Sequence, residues 1–145
     1  KRGQVLKVAG ATVIDDCYNS NPKALNAMVD ALAGMPAKRR IVVAGEMLEL
    51  GSAGEQLHRE CGRHMAGRGI QRVIGVRGAA RFLVEAAKQA GVEADFLESP
   101  EQAGEWLAQN TRTGDAVLLK ASRGVRLERA LQVWQARRTT VKAGK

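Results

Sequence analysis

The chain has 145 residues, 45% of them apolar and 26% charged, and a formal net charge of +8. A chain of this length buries roughly 68–70% of its unfolded surface on folding, so one domain with its own core is expected without disulfides or structural metals. Four of the eight net charges, Arg137, Arg138, Lys142 and Lys145, fall in the acid-free stretch 136–145, and with one Tyr, two Phe and two Trp no aromatic series accompanies the basic residues, which argues against a nucleic-acid partner.

The chain opens at Lys1 rather than Met, inside a strand-forming region, as a piece cut from a longer chain would. Residues 4–8 alternate polar and apolar side chains and are separated from 11–14 only by Ala9-Gly10, which predicts a hairpin and an antiparallel edge strand at the N-terminus. After Val13-Ile14 come Asp15, Asp16, Tyr18, Asn19 and Asn21, a polar turn ahead of a helix that Pro22 starts and Asn21 or Ser20 caps. Leu25, Met28, Val29 and Leu32 lie on one face of that helix, which Gly34 ends. A strand is predicted over 41–44, a helix over 54–66 with Leu57, Cys61 and Met65 on one face, and a strand over 73–76. Then follow a helix over 79–90, a strand over 94–97, a helix over 100–110, a strand over 116–119 and a last helix over 125–135. This alternation predicts an α/β, Rossmann-like, mostly parallel sheet with helices on both faces, occupying residues 1–135, and a basic, disordered tail over 136–145.

Ligands of open parallel sheets bind beyond the carboxyl ends of the strands, and four polar groups are expected there. Asp15 and Asp16 follow one strand, Gly45 and Glu46 another, Arg77 and Gly78 a third, and Lys120, Ser122 and Arg123 the last. Adjacent strand residues point to opposite faces, so one of the two aspartates faces the crevice; Asp16, nearer the turn, is the candidate, with a ribose diol as a fitting partner. An Asx-turn or capping network of Asp16, Asn19 and Asn21 is the structural alternative. Tyr18 either packs on a base or roofs the core. Lys120, Ser122 and Arg123, at a strand-to-helix turn, form an expected anion site, whereas Arg126 and Arg129 are expected in solvent.

His58, Cys61 and His64 recur every three residues, but His58 and His64 point about 120° apart on a helix, which rules against zinc. Cys61 reads as core and His58 as packing near the Glu46 loop. No Gly-x-x-x-x-Gly-Lys-(Ser/Thr) loop is present, and Gly75-Val76-Arg77-Gly78 does not complete a dinucleotide fingerprint. The cysteines have no paired spacing, and neither a signal peptide nor a membrane-spanning apolar run is present, so a cytoplasmic location is expected.

Three segments in order, Asp15-Asp16-Cys17-Tyr18-Asn19-Ser20-Asn21-Pro22, Gly45-Glu46-Met47-Leu48-Glu49-Leu50-Gly51 and Lys120-Ala121-Ser122-Arg123, resemble the C-terminal domain of the Mur ligases, in the branch that joins D-Ala-D-Ala to a UDP-MurNAc-tripeptide during peptidoglycan synthesis. The family pattern has Ala where Ser20 stands. The resemblance implies an ATP- and Mg2+-dependent bacterial ligase whose central domain holds the phosphate loop and most metal ligands and whose N-terminal domain grips the UDP moiety. It implies that Arg2 lies near the ATP phosphates, that Asp16, with Tyr18, Asn19 and Asn21 around it, meets the nucleotide, that Glu46 orients the dipeptide ammonium or touches the metal layer, and that Lys120, Ser122 and Arg123 receive a substrate carboxylate. It implies no catalytic residue in this domain alone. Gly3 stands where a related ligase stacks an aromatic ring on adenine, so that contact does not carry over. The rival reading is a receiver-like phosphoacceptor or another nucleotide-binding α/β module: Asp15, Asp16 and Lys120 fit a receiver, but residues 73–77 offer no Asp and Lys120 is followed by Ala121 rather than Pro. The Asp-Asn-Pro-Arg motif of the diaminopimelate-adding relative is absent.

Overall fold

The structure, a computed structural model, describes residues 3–143, with side chains described to residue 138. Six strands form one sheet: β1 Gln4–Val8, β2 Ala11–Asp16, β3 Arg39–Gly45, β4 Arg72–Val76, β5 Glu93–Leu97 and β6 Asp115–Lys120. Their order is β1-β2-β6-β3-β4-β5; β1 is antiparallel to β2 and every other pair is parallel. The predicted edge hairpin is present, and both turn residues, Ala9 and Gly10, have positive φ, as a two-residue turn joining twisted strands requires.

Five helices cover the sheet: α1 Pro22–Ala33, α2 Gly54–Gly67, α3 Ala80–Gln89, α4 Pro100–Asn110 and α5 Glu128–Ala143. Strand alternation builds two cores. Val13, Ile41, Val43, Ile74, Val117 and Leu119 meet α4 and α5 through Leu107, Leu131 and Trp134. Ile14, Val42, Val73 and Leu118 meet α1, α2 and α3 through Leu25, Val29, Met65 and Leu83. The predicted caps form: Asn21 Oδ1 accepts from Ala24 N at 2.8 Å, and Ser99 Oγ accepts from Gln102 N at 3.2 Å ahead of Pro100.

Two boundaries differ from expectation. Asp15 and Asp16 are the last residues of β2 rather than part of a turn, and Asp16 stands opposite Lys120 in β6. The last helix begins at Glu128, because Arg126 adopts a left-handed φ of 59° after a 3-10 turn over Arg123–Val125, and it continues to Ala143. The stretch expected as a disordered tail is therefore helical to that point. No Gly or Pro interrupts 128–143, Trp134 is fully buried, and Arg137 Nε donates to Glu105 of α4 at 2.9 Å.

Candidate functional site

β6 lies between β2 and β3, so the carboxyl ends of three strands that are distant in sequence become adjacent. At that rim Lys120 Nζ donates to Asp16 Oδ2 at 2.8 Å and to the Asn19 carbonyl at 2.9 Å, with the Asp16 and Lys120 side chains 6% and 4% exposed. Lys120 is not the open cation that the anion-site reading required. Two of its three ammonium protons are committed inside the protein. Asp16 Oδ1, by contrast, is buried with no hydrogen-bond partner among the described residues. Asp16, Asn19, Asn21 and Lys120 line a cavity of about 340 Å3 whose apolar wall is Ala24, Ala27 and Met28 of α1, with Gly3 at its edge.

A second cavity, of about 360 Å3, lies on the other side of Asn19 and Asn21, between Leu48-Glu49-Leu50 and Ser122-Arg123-Gly124. Ser122 Oγ accepts from Leu48 N at 2.8 Å, which ties these two loops together. The Ser122 turn does not open a long helix, since α5 starts six residues later, so a helix-terminus field is not what it offers. Tyr18 is 52% exposed and lies beside the Arg123 guanidinium, whose carbon is 5.0 Å from the ring centroid, so it does not roof the core.

Glu46 lines neither of these cavities. Its Oε2 accepts from Ala79 N at 3.0 Å, capping α3, whose own N-cap residue offers no side-chain acceptor, and its Oε1 is 3.4 Å from Arg77 Nε. Gly78 is required beneath it: a Cβ there would stand 2.2 Å from the Glu46 carboxylate. Of the predicted site residues, Asp16, Asn19, Asn21 and Lys120 come together in one cavity and Ser122 and Arg123 in its neighbour, while Glu46 and Tyr18 stand apart from the first. Arg2 lies outside the described residues. Arg77, a rim residue by its place in the sequence, is marked by a φ of 74°, rare for a residue with a β-carbon, which only the folded backbone reveals.

His58 is fully buried beneath the Glu46 loop, as its position in sequence suggested, with Nε2 accepting from Met47 N at 3.0 Å and Nδ1 2.7 Å from the Gly54 carbonyl. A neutral ring with Nδ1 protonated satisfies both contacts. Burial pushes the His58 imidazole below its ordinary value of 6.5. The unfolded chain then binds the proton more readily, so this contribution to stability is present above pH 6.5 and is lost as pH falls toward the depressed value. Denaturation midpoints are expected to fall between pH 7 and pH 5 with a slope of at most about 1.4 kcal/mol per pH unit from this group. His58→Gln should flatten that slope; an unchanged slope would show that the ring is not the titrating group.

The family described as Mur ligase, glutamate ligase domain, matches residues 1–123. The chain is similar to the UDP-N-acetylmuramoyl-tripeptide--D-alanyl-D-alanine ligase of Bacillus subtilis (strain 168), with 32% identity over 124 residues that are 83% of this chain and 27% of that protein. It is also similar to the ligase of the same name from Treponema pallidum (strain Nichols), with 36% identity over 127 residues, 83% of this chain and 27% of the other. Among solved structures, the MurF ligase from Thermotoga maritima in complex with ADP is 28% identical, with a TM-score of 0.81, and covers 96% of this chain and 31% of its own. The chain thus spans less than a third of the length of these relatives.

Proposed function

Because the chain belongs to the Mur ligase family, carrying its glutamate ligase domain, we propose that it is the C-terminal domain of an ATP-dependent ligase that adds D-Ala-D-Ala to UDP-MurNAc-tripeptide in peptidoglycan synthesis. One observation carries this reading. A buried aspartate with an unpartnered oxygen lines a rim cavity with an apolar wall, in a domain whose 28% identical relative was solved with ADP.

The residues of the first cavity fit part of a nucleotide. Asp16 is assigned to a ribose hydroxyl, for which its buried, unpartnered Oδ1 has to become accessible on binding, Asn19 and Asn21 offer amides, and Ala24, Ala27 and Met28 give apolar surface for a base where Gly3 supplies no ring. Lys120 holds the other Asp16 oxygen and so fixes the carboxylate. Its remaining ammonium proton serves the nucleotide cavity, and the acceptor side is left to Ser122 and Arg123. Arg2 is assigned to the phosphates on the resemblance alone. When bound, ATP supplies the phosphoryl group that activates the tripeptide carboxylate toward the dipeptide amine. Mg2+ is assigned to the central domain on the resemblance alone, and no step here runs through it.

The domain's part is therefore positioning: it brings the second cavity and its acceptor to the activated carboxylate and excludes water as the domains close. The reaction is assigned to the whole ligase, with the central and N-terminal domains of the same chain as partners, in the bacterial cytoplasm. Among the described residues no helix is long and apolar enough to cross a membrane.

Amide chemical shifts of this chain test the reading. Titration with a Mg-bound nonhydrolysable ATP analogue is expected to move Asp16 through Asn21 and the amides of α1, and D-Ala-D-Ala to move Leu48 and Ser122. Asp16→Asn, which keeps the shape but weakens the acceptor, should raise the nucleotide Kd about tenfold. Nucleotide shifts confined to residues far from the first cavity would refute the assignment.

A further inference from the structure

The two walls of the second cavity are joined by a relay that neither cavity contains. Its first member is Glu46, locked by Ala79 N at 3.0 Å. The next is Arg77, whose Nε lies 3.4 Å from Glu46 Oε1 and whose Nη1 donates to the Gly124 carbonyl at 3.0 Å. Gly124 closes one wall, and Leu48, two residues after Glu46, closes the other; a Cβ on Gly124 would stand 2.8 Å from Leu48 Cδ1. Arg77 does this from a left-handed φ of 74°, followed by Gly78 at 52°, a conformation that costs an L-residue energy and persists only where its surroundings impose it. Gly would satisfy this backbone with less strain, and what Arg77 adds is the guanidinium that reaches both Glu46 and the Gly124 carbonyl.

We propose that Arg77, held by Glu46, is a positioning residue for the acceptor: it sets the spacing between the loop after β3 and the loop after β6 and thereby the shape of the second cavity. The proposal rests on the reading of that cavity as the acceptor side. It gives Glu46 a task other than touching the dipeptide or a metal, since both of its oxygens are already engaged by the relay. The strain and the relay also make opposite demands on one substitution. Arg77→Gly relieves the left-handed backbone while deleting the guanidinium, so stability and acceptor binding should part company.

The experiment has two arms. In the full-length ligase, Arg77→Gly is expected to raise the KM for D-Ala-D-Ala about tenfold, the effect of one lost charge-assisted hydrogen bond, with the KM for ATP unchanged and the thermal midpoint equal or higher. Arg77→Lys, which keeps a cation but not the fork, should fall between the two. In this chain alone, Arg77→Gly and Glu46→Gln should each shift the amides of Leu48–Leu50 and Ser122–Gly124, and the double variant should shift them no further than Arg77→Gly does. A lower midpoint with an unchanged dipeptide KM would reduce Arg77 to a structural tie and overturn the proposal, as would unmoved amides in both loops. Absence of dipeptide-dependent phosphate release by the unsubstituted full-length protein would instead sink the acceptor reading, and the amide shifts would still decide whether the relay sets the two loops.

Discussion

Lys120→Met is expected to destabilise the domain by about 3–5 kcal/mol, because it leaves a buried carboxylate without its counter-charge. Asp16 is 4% exposed, its Oδ1 has no partner, and Lys120 Nζ at 2.8 Å is the cation that compensates Oδ2. Removing the ammonium also frees the Asn19 carbonyl, so the turn that separates the two cavities loses its tie to β6. The partner test is the double variant Asp16→Leu with Lys120→Met, which removes both charges and should recover much of the loss, since a buried pair contributes little net energy beyond a well-packed apolar replacement. Urea denaturation of both proteins decides it: a double variant as unstable as the single one would mean that packing, not charge compensation, sets the cost. The same pair explains why an aspartate is tolerated at the buried end of β2, since the lysine offsets its desolvation.

Trp134→Ala should cost about 3–5 kcal/mol, the range for an aromatic ring removed from a packed interior. Trp134 is fully buried on α5 in the core shared with α4 and with strands β3, β4 and β6. Its indole N–H has no acceptor among the described residues, so Trp134→Phe removes an unsatisfied donor along with part of the ring and is expected to cost less than half as much. A Trp134→Ala loss below about 1 kcal/mol, the scale of an ordinary surface change, would show that α5 is an appendage rather than one of the sheet's two coverings.

The strands are legible because the short apolar runs at Val13-Ile14, 41–44 and 116–119 are what burial on both faces requires, and the starts of α1 and α4 because Asn21-Pro22 and Ser99-Pro100 are local signals. The rim was legible too, since parallel strands deliver their carboxyl ends to one side. What sequence did not disclose is pairing across the sheet. Asp16 and Lys120 are 104 residues apart, and only the insertion of β6 beside β2 makes them neighbours. Glu46 reads from sequence as a ligand-facing acid because the residues that occupy it, Arg77 and Ala79, lie about thirty positions away in the connection between β4 and α3. The last helix runs past the expected end at 135 as far as Ala143, through residues that include no Gly or Pro.

The order β1-β2-β6-β3-β4-β5 also dictates when the site can exist. During synthesis β2 and β3 emerge early yet share no edge, and each awaits the same late strand. Until residues 115–120 leave the ribosome the sheet has a missing central slat, with two open edges of unpaired backbone N–H and C=O groups flanked by apolar side chains, and an aspartate lacking its lysine. Insertion of that one strand closes both edges, neutralises the buried charge and draws the two halves of the crevice together in one step, so a nascent chain truncated before Lys120 is a candidate for chaperone capture.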